Sequence, residues 1–362
     1  MPLEHMSAYE REAWVEIGRW REQRVAAGRR RGRGAVLARG LRAVPGSTTL
    51  LEGVLRSVQG MHGLVTDVAV SAPPHRGVRR AYAAQGLPVA DLGEIRRFDL
   101  AWVDRATPAL GSRYALALAG EGALAGAAAG GGLALTAAGG AAGAGVGAVP
   151  GAATTVGLLS ADIAAVLAGS TRAVAHTAAY HGYDARDPWE RAFLLGVLGA
   201  AVAGDQATKL SALAELRRLS AVLALGGASR QLGDDVLVRL LRRLFASLGE
   251  RLTQRKVAQL VPVAGAFVGG GLNYAYVRDV GECASWLYRE RFLIDRHGLA
   301  EEVAGPLEPA RAVEGIAAGA REDAALDAPA ALPAGAPALP PGPAAPPAAA
   351  QVPPPPGGAA GR

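Results

Sequence analysis

Residues 160–201 read SADIAAVLAGSTRAVAHTAAYHGYDARDPWERAFLLGVLGAA, and this stretch decides the fold class. Ile163, Val166, Leu167 and Val174 recur at three- and four-residue spacing, which gathers them on one face of a helix. Ser160 is placed to cap that helix and Asp162 to favour its first turn. The pattern runs to about His181, where Gly182 takes the position that commonly ends a helix in the left-handed conformation. Asp187-Pro188-Trp189-Glu190 then supplies a cap, a proline at the first helical position and an acid at the third. Phe193, Leu194, Val197, Leu198 and Ala201 form the apolar face of the helix that follows.

The same period extends outward. Tyr9, Ala13, Ile17 and Trp20 predict an amphipathic helix over 7–26. Thr49 and Glu52 have capping-box spacing ahead of a stripe over 50–62. A short helix is expected over 75–85, after Pro73-Pro74, and a further stripe, Leu92, Ile95, Leu100 and Val103, runs up to Pro108. Helices are also expected over 206–225 and 234–252, and a long last one follows Pro262 through Val280, Trp286 and Leu293. Period-two alternation is almost absent. The predicted fold is all-α: a multi-helix bundle over 7–298 with a Gly/Ala-rich helical hairpin, and an acidic, then Pro/Ala-rich disordered tail over 299–362.

The chain has 362 residues and a net charge of +6, with arginine supplying all but two of its 38 basic residues (Lys209 and Lys256). Residues 301–362 hold seven acids against three arginines, which places about +10 on the rest. Part of that charge is the run Arg29, Arg30, Arg31 and Arg33, spaced by glycine. No aromatic residues interleave it, so a single-stranded nucleic acid has nothing to stack on and no specific nucleic-acid partner is expected. Cys283 is the one cysteine, which excludes an internal disulfide and a multi-thiolate metal site. Glu4, Glu10, Glu12 and Glu16 stand where a signal peptide would have its apolar core, so the expected location is cytoplasmic.

Residues 122–161 carry no charge. Within and near this stretch Gly122, Gly126 and Gly130, then Gly139, Gly143 and Gly147, recur every four residues, and Gly265 and Gly269 repeat the spacing later. Such glycines share one helix face and let two backbones approach closely. Forty residues suffice for a helical hairpin across a bilayer, but only eight of these are Leu or Val. The alternatives are a packed Gly/Ala helix pair, peripheral membrane contact, and true spanning.

Ala161-Asp162-Ile163, Tyr180-His181-Gly182-Tyr183-Asp184 and Asp187 through Leu195 resemble the centre of the EcsC family. Lys256, Val261 through Gly265, Gly269 through Asn273 and Val277 through Gly281 are similar to its end, and Tyr9-Glu10 with Ala13-Trp14 to its opening helix. The chain departs from that pattern by His181 before Gly182 and by its enlarged Gly/Ala stretch. The resemblance implies a bacterial cytoplasmic or membrane-peripheral protein, in some cases beside an ABC-type exporter, and carries over no catalytic residue.

His176, His181, Asp184, Asp187 and Glu190 gather at one helix–loop–helix corner, the candidate polar site. A step of five residues from His176 to His181 turns the second away from the first on a helix, and Asp187 and Glu190 already serve a helix start, so no metal and no cofactor are expected. The expected function is a non-enzymatic, membrane-associated accessory or interaction protein, peripheral on the inner face of the plasma membrane, with an anionic membrane surface and a transporter or other protein as partners. The alternatives are a hydrolase or metal-dependent enzyme using the 176–190 corner, and a soluble cytosolic scaffold.

Overall fold

The computed structural model describes residues 2–30, 62–71, 75–117, 148–225 and 265–304, all within one compact unit, Met1–Leu326. The fold is all-α, and no strand occurs among the described residues. The expected helix over 234–252, most of the one over 50–62, the glycines from Gly122 to Gly147, Arg31, Arg33 and the tail from residue 305 lie outside the described residues.

The helices are α1 (Ala8–Arg30), α2 (His62–Ser71), α3 (His75–Ala83), α4 (Leu100–Ala106), α5 (Ala148–Tyr180), α6 (Pro188–Val202), α7 (Gln206–Ala224), α8 (Gly265–His297) and α9 (Ala300–Ala304). A 3-10 turn, Leu92–Arg97, precedes α4, and residues 110–117 are helical. Ser160 sits inside α5 and caps nothing. Pro150 stands in the first turn of α5, where its missing N–H would have no partner anyway, and no residue between it and Ser160 breaks the helix. The stripe read through Leu92 and Val103 is divided, because Asp91 caps the 3-10 turn and Asp99 caps α4. A short polar side chain that can bond the next backbone N–H favours a helix start over helix continuation.

Among the described residues, two apolar clusters form the core. One joins the C-terminal half of α5 to α6, α7 and the middle of α8 through Ile163, Leu167, Phe193, Leu198, Leu216 and Leu287. The other joins α1, α3, the 3-10 turn and α4 to the ends of α5 and α8 through Ile17, Tyr82, Ile95, Leu100 and Phe292. Helix α8 runs through both. Trp20 and Trp286 stack between α1 and α8 at 5.9 Å.

Buried polar contacts fix the chain ends of these helices. Ser7 and Glu10 form a reciprocal capping box at α1, with each side chain 3.1 Å from the other's backbone nitrogen. Glu10 is buried and is also 3.0 Å from Arg296 Nε and 3.1 Å from His297 Nε2, so the start of α1 is tied to the end of α8. Tyr82 donates to the Tyr180 carbonyl at 2.6 Å, satisfying one of the last carbonyls of α5. Packing continues past residue 298: Gly298 turns with φ 63°, and Leu299 and Ala300 are buried.

Gly111 and Gly281 meet backbone to backbone. A Cβ on Gly281 would lie 2.3 Å from the Gly111 Cα, which leaves that position no room for a side chain, and a Cβ on Gly111 would lie a tight 3.1 Å from the Gly281 Cα. Gly281→Ala is therefore expected to cost about 1–3 kcal/mol through forced separation of the two helices. Gly18→Ala, where an added Cβ meets nothing within 4 Å, should instead stabilise by about 0.5–1 kcal/mol. Urea unfolding of the two variants checks both signs.

Candidate functional site

The corner between α5 and α6 is built by local rules. Helix α5 ends in a paired turn in which Tyr183 N–H donates to the Ala178 carbonyl at 3.0 Å and Gly182 N–H to Ala179 at 3.1 Å. Gly182 has φ 85°, and a Cβ there would lie 2.7 Å from the Leu92 carbonyl oxygen. Glycine is required twice over, for its backbone angle and for its contact. Asp184 accepts from Arg186 N–H at 3.0 Å, and Asp187 caps α6 through Trp189 N–H at 2.9 Å.

This corner forms one wall of a cleft of about 790 Å³. His75 and Arg79 of α3 and Asp91 and Arg96 of the 3-10 turn form the facing wall, and Arg291 and Asp295 of α8 lie at its floor. Asp184 Oδ1 stands 3.6 Å from His75 Nε2, and Arg79 donates to the Ala90 carbonyl at 3.1 Å.

The floor is a buried ionic network. Glu190 and Arg291 are 4% and 5% exposed. Arg291 Nη1 lies 2.9 and 2.8 Å from the two Glu190 oxygens. Tyr288 donates to Glu190 Oε1 at 2.8 Å, and Tyr183 donates to Asp295 Oδ2 at 2.6 Å. The Arg291 guanidinium stacks between the rings of Tyr183 and Phe193, 4.1 and 4.5 Å from their centroids. Burial raises the pKa of Glu190, and Arg291 offsets only part of that rise. Burial acts against the Arg291 charge, but Glu190, Tyr183 and Asp295 more than offset it. Burial likewise raises the pKa of Asp295 and of both tyrosines. These tyrosines are donors, not bases.

Of the five corner residues, the structure brings Asp184, Asp187 and Glu190 to this cleft, whose lining includes neither histidine. His176 sits 3.3 Å from the Tyr114 hydroxyl and beside the Tyr180 ring. His181 is buried among Tyr288 and Phe292, and its Nδ1 donates to the Thr177 carbonyl at 2.8 Å. Burial lowers the pKa of both imidazoles and keeps them neutral. Among the described residues no group of three His, Cys, Asp or Glu is placed to hold a metal ion. Glu190, read from sequence as a helix-start acid, is in addition the buried partner of Arg291. Cys283 is fully buried and its thiol is pushed up to about 11 by burial, as suits a small core residue. The backbone of Gly265 and Gly269 lies in the first turns of α8 and that of Arg29 and Arg30 in the last turn of α1, and their surroundings are outside the described residues.

Sequence reasoning missed Arg291, Asp295, Arg96 and His75. Arg291 and Asp295 fall among Arg289, Glu290 and Arg296, a charge-dense run that reads as a solvated helix end.

The model of the EcsC protein family matches residues 135–293. The resemblance read from residues 161–195 and 256–281 thus holds, while the opening helix lies outside the matched stretch. The chain is similar to the uncharacterized protein YdbA of Bacillus subtilis (strain 168), at 30% identity over 148 residues. That match takes in 40% of this chain and 52% of the relative, so the chain spans about half the length of the relative it matches. No solved structure gives a significant match.

Two outcomes follow from this geometry. Asp187→Ala is expected to cost about 1 kcal/mol and Asp187→Ser to restore most of it, since serine also accepts the Trp189 N–H. Asp295 binds its proton more tightly folded than unfolded, so its contribution to stability is greatest below the unfolded carboxyl pKa of about 4 and is lost as pH rises through the raised folded value. Relative to Asp295→Asn, the wild type should therefore lose stability as pH rises from about 4. Urea midpoints across that rise check the sign.

Proposed function

We propose that this chain, matching the EcsC family across residues 135–293, is a non-enzymatic accessory protein that docks peripherally on an anionic membrane surface. The observation that carries this reading is an exposed arginine surface. Arg76, Arg79 and Arg80 of α3 and Arg96 and Arg97 of the 3-10 turn are all exposed, on the two elements that form one wall of the cleft. Helix α3 is strongly two-faced: Val78 and Tyr82 are buried while its arginines face out. Trp102, 38% exposed, follows on α4 with the Arg105 guanidinium 4.7 Å from its ring. An amphipathic aromatic residue beside arginines suits the headgroup region of a bilayer.

The run Arg29, Arg30, Arg31 and Arg33 and the net charge of the body act in the same direction. No described helix is long and apolar enough to cross a membrane, and the uncharged 122–147 stretch lies outside the described residues. What the exposed arginines support is contact with a membrane surface. An ABC-type exporter is the partner that the family resemblance brings to this proposal. The enzymatic reading drew on His176 and His181, which face Tyr114 and the core instead of the cleft.

Each arginine near an anionic surface contributes about 1 kcal/mol at low salt. Replacing Arg76, Arg80 and Arg97 by Gln is expected to weaken partition onto anionic vesicles by about a hundredfold, with the circular dichroism unchanged. Binding should fade as salt rises. Co-sedimentation with vesicles measures this, and a wild-type protein that ignores anionic vesicles at low salt contradicts it.

A further inference from the structure

The cleft floor contains buried polar atoms that the fold leaves without partners. Asp91, Asp184 and Asp187 each use an oxygen on a backbone N–H at a helix or turn start. Both Glu190 oxygens are taken by Arg291. Asp295 is different. Its Oδ2 accepts from Tyr183, but its Oδ1 is buried with no partner, and so is the Nε–H of Arg291 one helical turn away. Its side chain is only 11% exposed and lines the cleft. Leaving such a carboxylate oxygen unpaired is costly unless something arrives to meet it.

The charges arrange themselves by depth. At the floor, Glu190 and Asp295 stand against the single buried cation Arg291, with Arg96 3.8 Å from Asp295 and 46% exposed. The depth of the cleft is therefore short of positive charge, and the raised pKa of Asp295 reflects its burial there. At the rim the sign reverses. Arg79 and Arg96 are exposed, and His75 stands beside them. A single anion would meet Asp295 at the floor, and a single cation would meet guanidinium groups at the mouth.

We propose that the cleft binds a small zwitterion, an ammonium group a few bonds from a phosphate or carboxylate. The ammonium donates to Asp295 Oδ1 at the floor, and the anionic end meets the rim guanidinium groups of Arg79 and Arg96, which favour such oxygens. A volume of about 790 Å³ exceeds such a group alone and leaves room for whatever chain it is attached to. The shared chemistry is available from a free amine metabolite or from an ethanolamine-type lipid headgroup. Arg79 and Arg96 belong to both the cleft and the arginine surface, but Asp295 belongs to the cleft alone and Arg76, Arg80 and Arg97 do not line it, so the two readings fail separately.

Titration calorimetry of the full chain with O-phosphoethanolamine and with β-alanine, and separately with ethanolamine and inorganic phosphate, tests the proposal. At least one zwitterion should bind with one-to-one stoichiometry and about tenfold or more above either half, the scale of one charge-assisted hydrogen bond. Asp295→Asn should lower that affinity by about tenfold or more while its urea midpoint shows a folded protein. Arg79→Gln, an exposed change, should weaken binding of the anionic end and serves if the Asn variant does not fold. Net-neutral vesicles of phosphatidylcholine with and without phosphatidylethanolamine separate the sources, because a trimethylammonium cannot donate a hydrogen bond. Binding of the free zwitterion assigns a metabolite, and binding only to ethanolamine vesicles assigns the headgroup. The proposal is overturned if neither occurs, if inorganic phosphate alone binds as tightly, or if the folded variants bind unchanged.

Discussion

The ion pair between Glu190 and Arg291 is the contact on which the site depends. It joins the first turn of α6 to the last third of α8, two segments a hundred residues apart in sequence. A buried pair of this kind gains little net stability, because desolvating two charges nearly cancels their attraction. The raised pKa of Glu190 says the same, since Arg291 does not fully offset its burial. What the pair does impose is position. Only one register of α8 against α6 brings guanidinium and carboxylate within 3 Å, and any other leaves a bare charge in the core. Tyr183, Phe193 and Tyr288 enclose the pair with rings and hydroxyls, so the corner and the helix are held together as a unit.

The cleft follows from that registration. Once Arg291 is held, Asp295 one turn on must face the Gly182–Tyr183 corner, and Tyr183 bonds it there. Gly182 lets the corner approach the Leu92 carbonyl of the 3-10 turn, which brings Arg96 and the α3 arginines to the opposite wall. The Gly111–Gly281 crossing sets how closely another helical segment approaches the middle of α8. The capping box at Ser7 and Glu10 is anchored to Arg296 and His297 at its end. Helix α8 thus acts as a spine whose successive faces serve core, site and chain ends.

Much of the fold was legible in the sequence because its signals are local. Gly182 as a helix terminator and Asp187-Pro188 as a helix start depend on backbone rules that operate within four residues. Apolar spacing placed α6, α7 and α8 for the same reason. Ser160 misled because serine is compatible with both a cap and a helix interior, and the choice lies with the twelve residues before it. The site was only half legible. Asp184, Asp187 and Glu190 were singled out from their proximity in sequence, which also drew in His176 and His181, although helical geometry turns those two elsewhere. Arg291 and Asp295 gave no signal, since one charged residue in a charged helix end looks like its neighbours. The partner that makes Arg291 different is a hundred residues away, and no local pattern encodes that pairing.

The central claim, that the Glu190–Arg291 pair fixes the site, is tested most directly by a double-mutant cycle on unfolding free energy. Glu190→Gln and Arg291→Met each strand the remaining polar partner in the core, and each should cost about 3–5 kcal/mol. The double variant removes both charges together and should cost about as much as either single change, giving a coupling of about 3–5 kcal/mol. Additive costs with a coupling below about 0.5 kcal/mol would contradict the account, because the two residues would then be acting independently.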